Sequence, residues 1–281
     1  MPLSLIRVLW ALVPLASSLL VVSIARSAPP SGPLVSAPEA IIIDGQSGET
    51  LYQKSADIER YPASTVKIMT EVVLLNRRLP LQRVVTVSAN AAAYGGSTAG
   101  LYQGETMTVW NLMHGMLLPS GNDAAVALAE AAAGSTTRFV SWMNGEARHL
   151  GLWHTHYSSP NGFDAYGQVT TARDLAALAR AAMRKPRFRQ LVRTRTWTAW
   201  SADHRTVHHW RNTNQLLWQS RRIDGVKTGT TPGAGACLVA ADRSRGRYVI
   251  SVNLGSTEAT RFSDGSDLLR YGLQRERVEK R

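Results

Sequence analysis

The stretch YPASTVKIMT, residues 61–70, combines a helix signal with a candidate reaction centre. Pro62 suits the first turn of a helix, because its fixed φ and missing N–H cost nothing there. The residues after it are apolar almost all round, which predicts a buried helix. Ser64 and Lys67 are three residues apart and share one helix face. Burial lowers the pKa of a lysine, so Lys67 can accept the Ser64 proton and activate the hydroxyl as a nucleophile.

The Ser-x-x-Lys pattern also has a plainer interpretation. It is short, and about one chance match is expected in a chain of this length. Most such pairs are exposed, with the lysine solvated and the serine near a helix cap. The pattern therefore needs support from elsewhere in the sequence.

The composition describes a globular protein with a surplus of positive charge. The 281 residues are 44% hydrophobic and 19% charged, enough core for one large domain or two packed subdomains. The formal net charge is +12. The basic residues are spread over four stretches rather than gathered in one helix or arm: 184–195, 205–222, 243–247 and 275–281. We therefore predict no nucleic-acid partner, and a cationic surface that faces an anionic envelope or polymer.

Residues 1–28 are typical of a targeting segment. Arg7 gives a short positive start, residues 8–24 are apolar, and residues 23–25 offer a small-x-small cleavage site. The apolar run is at the short end for a membrane span, so an uncleaved anchor is the alternative. In both cases the folded part is exported to the periplasm or cell envelope, and any membrane association is through this segment.

The rest of the chain divides into a linker, one folded domain and a tail. Residues 29–38 are rich in Pro and Ser and predict a linker, residues 39–275 form the domain, and residues 276–281 are a basic tail. Cys237 is the single cysteine, so no internal disulfide can form. It lies in an apolar run that predicts a strand, which favours a buried, inert thiol.

Periodicity predicts an α+β layout with a helical lobe inserted between β segments. A hairpin at 40–53 precedes the Ser64 helix, and residues 77–105 predict loop with a short strand at 84–87. Helices are predicted at 106–118, 123–133, 136–150 and 170–183, the last with Pro186 beyond its end. Three strands and a last helix follow at 225–230, 235–241, 247–254 and 263–272. Residues 203–218 are polar and aromatic and fit no pattern.

Two further motifs fall in these elements. Ser120-Gly121-Asn122 lies in a tight turn between two apolar helices, although either polar residue can simply cap the second helix. Lys227-Thr228-Gly229 lies in a strand, where a lysine is uncommon and Gly229 permits close approach to the backbone. The alternative for Lys227 is an edge-strand lysine that blocks aggregation.

Together the three motifs, in this order, resemble the signature of penicillin-binding proteins and serine β-lactamases. The wider stretches 63–70, 118–130, 139–155, 224–230 and 261–272 are similar to the D-alanyl-D-alanine carboxypeptidase family, the low-molecular-mass penicillin-binding proteins. The resemblance implies a β-lactamase/transpeptidase-like fold, an antiparallel sheet flanked by helices with an inserted all-helical lobe. It also implies a serine carboxypeptidase that acts on the D-Ala-D-Ala end of peptidoglycan peptides, binds β-lactams and needs no cofactor.

The resemblance assigns the chemistry to three residues. Ser64 would attack the peptide carbonyl between two D-alanines and form an acyl-enzyme. Lys67 would be its general base, and Ser120 would relay a proton to the leaving amine.

It assigns substrate binding to five more residues. Asn122 would order Lys67 and the substrate amide, and Lys227 would supply positive charge. Thr228 would bind the terminal carboxylate. Backbone N–H groups of Ser64 and Thr230 would form an oxyanion hole, worth ~3 kcal/mol per donor. Arg261 resembles an arginine that the family directs towards the substrate carboxylate, or is a solvated residue before the last helix.

Two departures from the family leave the substrate open. Members often carry His where this chain has Thr230, which bears on substrate preference. Many members also have a β-rich C-terminal domain and an amphipathic membrane helix, whereas this chain stops soon after Leu273. This layout is similar to the compact members, some of which are endopeptidases on crosslinked peptidoglycan. The sequence therefore leaves two activities open, carboxypeptidase and endopeptidase.

Three other activities are weighed against these. A β-lactamase of this fold would use a Glu-x-x-Leu-Asn pattern, and the only glutamates between Ser120 and Lys227, Glu130 and Glu146, lack it. A sensor that stays acylated by a β-lactam is consistent with all the motifs. A metal site is not predicted, because His154-x-His156 and the histidines at 204–209 have no third-ligand pattern.

Overall fold

A five-stranded antiparallel sheet in the order β2-β1-β9-β8-β7 is the centre of the fold. The computed structural model describes residues 32–244 and 246–279, so the targeting segment predicted at 1–28 lies outside the described residues. The strands are β1 (Glu39–Asp44), β2 (Thr50–Lys54), β3 (Val84–Thr86), β4 (Thr106–Thr108), β5 (Thr196–Trp200), β6 (Val207–Arg211), β7 (Ile223–Thr231), β8 (Gly235–Ser244) and β9 (Arg247–Ser256).

The helices lie on both faces of this sheet and in a separate lobe between β2 and β7. They are α1 (Lys67–Asn76), α2 (Ala89–Ala92), α3 (Val109–Leu117), α4 (Asn122–Ala133), α5 (Thr136–His149), α6 (Ala172–Met183), α7 (Pro186–Arg193), α8 (Leu216–Gln219) and α9 (Arg261–Glu279). This arrangement confirms the predicted α+β fold with an inserted helical lobe.

Each strand of the sheet presents alternate residues to two different cores, because successive side chains point to opposite faces. On β1, Ile41 and Ile43 join the large core shared with α1 and the helical lobe. Ile42, between them, joins a smaller core under α9. The sheet is therefore buried on both faces, which explains its nearly continuous apolar strands.

Helix α1 runs through the middle of the molecule. It packs against α3, α4, α5, α6 and α7, and its residues from Lys67 to Leu74 are all buried. The predicted buried helix is confirmed. Its first residue, Lys67, carries the candidate base into the interface between the sheet and the helical lobe.

Several boundaries differ from the prediction for local reasons. The first three residues of the helix predicted at 106–118 form β4, and Thr108 then caps α3 by accepting a hydrogen bond from the Asn111 N–H. Pro186 lies beyond the end of α6 at Met183, as predicted, and it also begins α7, because proline is favoured at the first helical position. The last helix extends beyond 263–272 in both directions, to Arg261 and Glu279.

The unassigned stretch, residues 203–218, contains β6 and most of α8, and β6 pairs with the preceding strand β5 in a two-stranded hairpin. Trp197 pairs with Trp210 on the face that packs against the helical lobe. Thr198 pairs with His209 on the opposite, exposed face. Buried and exposed residues alternate along both strands, although tryptophan and histidine occur on both faces.

The segment before β1 is tied to the domain by hydrogen bonds. Asp264 on α9 accepts from the backbone N–H groups of Ser36 (2.8 Å) and Ala37 (3.1 Å). Lys54 Nζ donates to the Ala37 carbonyl at 2.8 Å. Among the described residues, no helix combines the length and the apolar character that crossing a bilayer requires.

Candidate active site

Ser64 and Lys67 meet where a short turn of 3-10 helix, Ala63–Val66, leads into α1. Lys67 Nζ lies 2.9 Å from Ser64 Oγ, and the lysine is fully buried while the serine is partly exposed. Ala63 has φ +47°, a left-handed conformation that costs a non-glycine residue of order 1–3 kcal/mol. The backbone is therefore bent sharply just before the candidate nucleophile.

Two carbonyl oxygens fix the orientation of the Lys67 amine. Lys67 Nζ donates to Asn122 Oδ1 at 2.7 Å and to the Asn161 carbonyl at 2.7 Å. Neither acceptor can donate a proton back. A neutral amine has two N–H groups, which these two oxygens occupy, so its lone pair is left facing Ser64 Oγ.

Electrostatics favour this neutral form. Burial lowers the pKa of Lys67 well below its ordinary value, and the nearby Lys227 ammonium lowers it further. The Asp123 carboxylate opposes the shift.

Ser120 lies between α3 and α4 and contacts the second lysine. Lys227 Nζ donates to Ser120 Oγ at 2.9 Å and to the Thr228 carbonyl at 2.9 Å. Ser120 has φ +67°, so a second strained residue stands beside the site. Burial, and then the Arg261 guanidinium, lower the pKa of Lys227 to about 7.

Asn122 and Asp123 hold the loop at residues 95–101 against the start of α4. Asn122 Nδ2 donates to the Gly95 carbonyl at 2.9 Å, which leaves Oδ1 for Lys67. The buried Asp123 carboxylate accepts from the N–H groups of Ala99 (2.8 Å) and Leu101 (3.0 Å). One turn of helix thus positions both the base and one wall of the site.

Strand β7 passes directly beside the nucleophile. A Cβ on Gly229 would lie 2.9 Å from the Ser64 nitrogen, so only glycine allows this approach. Thr228 Oγ1 lies 2.6 Å from Thr213 Oγ1, and Arg261 Nη1 donates to Thr230 Oγ1 at 2.7 Å. All the residues predicted from the three motifs, together with Thr230 and Arg261, therefore lie around one cleft.

Sequence reasoning missed three contributors. Asn161 acts through its backbone carbonyl, which no side-chain pattern reveals. Gly162 beside it has φ +98°, and a Cβ there would lie 2.1 Å from the Ala63 carbonyl oxygen. Thr213 lies outside the motifs, although it follows a hairpin that alternation could have located.

Glu71, one turn after Lys67, is fully buried, and neither carboxylate oxygen has a hydrogen-bond partner among the described residues. Burial raises the pKa of Glu71 to about 8, so it is neutral at pH 7 in the folded protein. The carboxyl of an unfolded glutamate ionises near pH 4.5. Between that pH and pH 8, folding therefore requires Glu71 to take up a proton. We expect the contribution of Glu71 to the free energy of unfolding to be fully present below pH 4.5 and to fall by about 5 kcal/mol up to pH 8.

Glu71→Gln should flatten this part of the profile, since glutamine does not titrate. The measurement is urea unfolding at several pH values between 4.5 and 8. Glu59→Gln is the control, because that side chain is 52% exposed. Identical slopes for wild type and Glu71→Gln would show that Glu71 ionises normally in the folded state.

The other residues considered in the sequence analysis, Glu130, Cys237 and the histidines, do not form a second reactive site among the described residues. Glu130 accepts hydrogen bonds from Ser88 Oγ (2.6 Å) and Asn90 Nδ2 (2.7 Å), and so is engaged away from the cleft. Cys237 is buried, and burial raises its pKa to about 11. Within residues 32–244 and 246–279, no group of three or more His, Cys, Asp or Glu side chains is placed to hold a metal ion.

The family comparison agrees with this geometry. A model of the D-alanyl-D-alanine carboxypeptidases, peptidase family S11, matches residues 25–258. The chain belongs to this family. It is 38% identical over 257 residues to the D-alanyl-D-alanine carboxypeptidase of Streptomyces sp. (strain K15), covering 86% of this chain and 88% of that protein.

Other carboxypeptidases of the family extend the comparison. DacC of Escherichia coli (strain K12) is 37% identical over 86% of this chain, which spans 62% of the length of DacC. The crystal structure of the Streptomyces K15 DD-transpeptidase superposes with a TM-score of 0.82 at 36% identity, covering 87% of this chain and 99% of that one. DacD of Francisella tularensis superposes with a TM-score of 0.80 at 30% identity, covering 87% and 72%. The fold predicted from the carboxypeptidase resemblance is confirmed.

Proposed function

We propose that this protein is an exported serine DD-peptidase that hydrolyses the bond between two D-alanines at the end of peptidoglycan stem peptides. The observation that carries the proposal is the position of Lys67 Nζ, 2.9 Å from Ser64 Oγ and 2.7 Å from each of two carbonyl oxygens. An amine held in this way is a base aimed at one hydroxyl.

Acylation uses both lysines. Ser64 Oγ attacks the carbonyl carbon of the penultimate D-alanine as its proton passes to Lys67. The oxyanion that develops is stabilised by the N–H groups of Ser64 and Thr230. As the C–N bond breaks, Ser120 donates its proton to the leaving amine and recovers one from the Lys227 ammonium. D-alanine leaves, and the peptide remains as an ester on Ser64.

Deacylation restores both lysines. A water molecule attacks the ester carbonyl and gives one proton through Ser120 to Lys227. Lys67 returns its proton to Ser64 Oγ as the ester bond breaks. The products are the shortened peptide acid and the free enzyme, and no proton is left over.

The end of the cleft near Lys227 suits a carboxylate. Lys227 supplies an ammonium, Thr228 a hydroxyl and Arg261 a guanidinium close to the same strand. Charge-assisted hydrogen bonds of this kind are about twice as strong as neutral ones. We therefore place the terminal carboxylate of the substrate beside Thr228.

Digestion of purified, crosslinked muropeptides tests the proposal. Wild type should release one D-alanine per pentapeptide as a carboxypeptidase, or convert dimers to monomers as an endopeptidase, and Ser64→Ala should do neither. If wild type releases no product while labelled penicillin still attaches to it, the protein is a sensor and the hydrolytic function is wrong.

Export is proposed from the targeting segment at residues 1–28. Fractionation of the native host should recover the protein from the cell envelope, and sequencing of its N-terminus would show whether cleavage follows residue 25. Recovery from the cytosolic fraction would overturn the export proposal.

A further inference from the structure

The β5–β6 hairpin has an exposed aromatic and cationic side that the proposed reaction does not use. We call it the hairpin face: Trp200, His209 and Arg211 on the hairpin, with Trp218 at its base. Trp200 is 51% exposed and Trp218 is 38% exposed. The guanidinium of Arg211 lies 4.0 Å from the centre of the Trp218 ring. Exposed tryptophan and arginine side chains are the types that contribute most to binding surfaces.

The opposite side of the hairpin is firmly anchored. Trp197 stacks on His114 at a ring separation of 3.8 Å. Trp210 Nε1 donates to the Ala99 carbonyl at 2.8 Å. His208 Nε2 lies 2.7 Å from the buried carboxylate of Glu105. The hairpin face is therefore held in place before any ligand arrives, which reduces the entropy lost on binding.

The charge around this face points to an anionic ligand. Residues 193–222 contain six arginines and a single acidic residue, Asp203. Three of the arginines are paired with carboxylates, in the pairs Arg193–Asp224, Arg205–Asp203 and Arg222–Asp242. The guanidinium groups of Arg195 and Arg211 instead lie over the Trp218 ring and give the face its positive charge. Such a surface attracts carboxylates over several ångströms. The indole rings add flat apolar surface of the kind that stacks on the C–H faces of sugar rings.

The hairpin face begins at the substrate cleft. Thr213 follows β6 by two residues and lies 2.6 Å from Thr228 through the two hydroxyl oxygens. At about 3.3 Å per residue along the strand, Arg211 lies about 7 Å from Thr213. Trp200, which pairs with Val207, lies about 20 Å from Thr213. The terminal carboxylate is proposed to lie at Thr228, so the hairpin face lies on the leaving-group side.

We propose that the hairpin face binds the neighbouring glycan–peptide strand that forms the leaving group when the substrate is a crosslink. This inference rests on the proposed function. A leaving D-alanine ends at Thr228 and cannot reach the face. A crosslinked leaving group continues as a second stem peptide, and about five extended residues span about 17 Å. Its free carboxylates then reach Arg211 and its sugars reach Trp200.

The chemistry of the face argues against a lipid surface. Trp200 pairs with the exposed Val207, but His209 and Arg211 separate this pair from Trp218, so the apolar side chains do not form one continuous patch. The tip of the hairpin carries Asp203, whose carboxylate accepts a hydrogen bond from Ser201 Oγ at 2.6 Å. Insertion into a bilayer interface requires a continuous apolar face.

Binding to purified, insoluble crosslinked peptidoglycan tests the inference, with the full chain carrying Ser64→Ala so that nothing is cleaved. We expect Trp200→Ala and Arg211→Ala each to weaken binding about tenfold. Trp153→Ala and Arg184→Ala are matched controls, because both side chains are exposed elsewhere on the surface. Equal binding by the hairpin variants and the controls would overturn the proposal.

A second measurement uses the active enzyme with Ser64 intact. The ratio of crosslink cleavage to D-alanine release from a short peptide should fall about tenfold in Trp200→Ala and stay constant in Trp153→Ala. An unchanged ratio contradicts the inference. If Trp200→Ala and Arg211→Ala lose binding to phosphatidylglycerol vesicles but still bind peptidoglycan as wild type does, the hairpin face binds lipid instead. If wild type cleaves nothing, the proposed function fails, while the binding assay still decides the role of the face.

Discussion

Lys67→Met should reduce acylation of Ser64 by about 10³–10⁴-fold, the range expected when a positioned general base is lost. Methionine is an unbranched side chain one atom shorter than lysine and has no amine, so the Ser64 proton has no acceptor at 2.9 Å. Asn122 Oδ1 and the Asn161 carbonyl also lose their donor. The loss should fall on kcat, because the substrate carboxylate is bound at the other end of the cleft.

The rate of labelling by fluorescent penicillin measures this loss directly. Lys185→Met is the matched control, since that lysine lies outside the core and its Nζ donates to Asn76 Oδ1, away from Ser64. Circular dichroism confirms that the variant is folded. A folded Lys67→Met protein that acylates at more than a tenth of the wild-type rate would show that Lys67 is not the base.

Lys227→Met should lower kcat/KM about 10²–10³-fold for peptides that end in a carboxylate, and less for the corresponding peptide amides, which lose only the proton relay through Ser120. Lys227 is buried and donates to Ser120 Oγ, so its ammonium serves both the carboxylate and the proton relay. Removal of a buried, hydrogen-bonded charge from a binding site typically costs about 2–5 kcal/mol. The expected 10²–10³-fold loss in kcat/KM corresponds to about 3–4 kcal/mol and lies within that interval.

The pH profile gives the same prediction without a substitution. Acylation requires neutral Lys67, so kcat/KM rises with pH through the lowered pKa of that lysine. Carboxylate binding requires charged Lys227, whose pKa is about 7, so affinity for peptide acids is full below pH 7 and declines above it. Peptide acids and peptide amides should both give a bell-shaped profile, because the Ser120 relay needs the Lys227 ammonium for either substrate. The fall above pH 7 should be larger for peptide acids, whose carboxylate the same ammonium also binds. Identical pH profiles for peptide acids and peptide amides would show that Lys227 does not bind the substrate carboxylate.

The reactive side chains could be located from sequence because the chemistry needs them at fixed positions on regular elements. Ser64 and Lys67 share a helix turn, Ser120 and Asn122 share a tight turn, and Lys227 lies in a strand. Each motif alone was equally consistent with a cap or a solvated residue. Their common cleft depends on tertiary packing, which brings Lys67 within 2.7 Å of Asn122 across 55 residues of chain.

The parts that sequence reasoning missed depend on backbone path or on mixed composition. The Asn161 carbonyl reaches Lys67 because Gly162 folds against Ala63, a contact that no side-chain pattern encodes. The β5–β6 hairpin alternates correctly, but tryptophan and histidine occur on both of its faces, so polarity did not separate inside from outside. Pro186 was interpreted only as a helix stop, although proline also starts helices.

The central claim is that Ser64 is the nucleophile, and peptide mapping after brief reaction with benzylpenicillin tests it most directly. The full chain is mixed with the drug, quenched in acid, digested and analysed by mass spectrometry. We predict one covalent adduct, on the peptide that contains Ser64, and none in Ser64→Ala. An adduct on the peptide containing Ser120, or an unmodified chain under conditions that label a known penicillin-binding protein, would contradict the account.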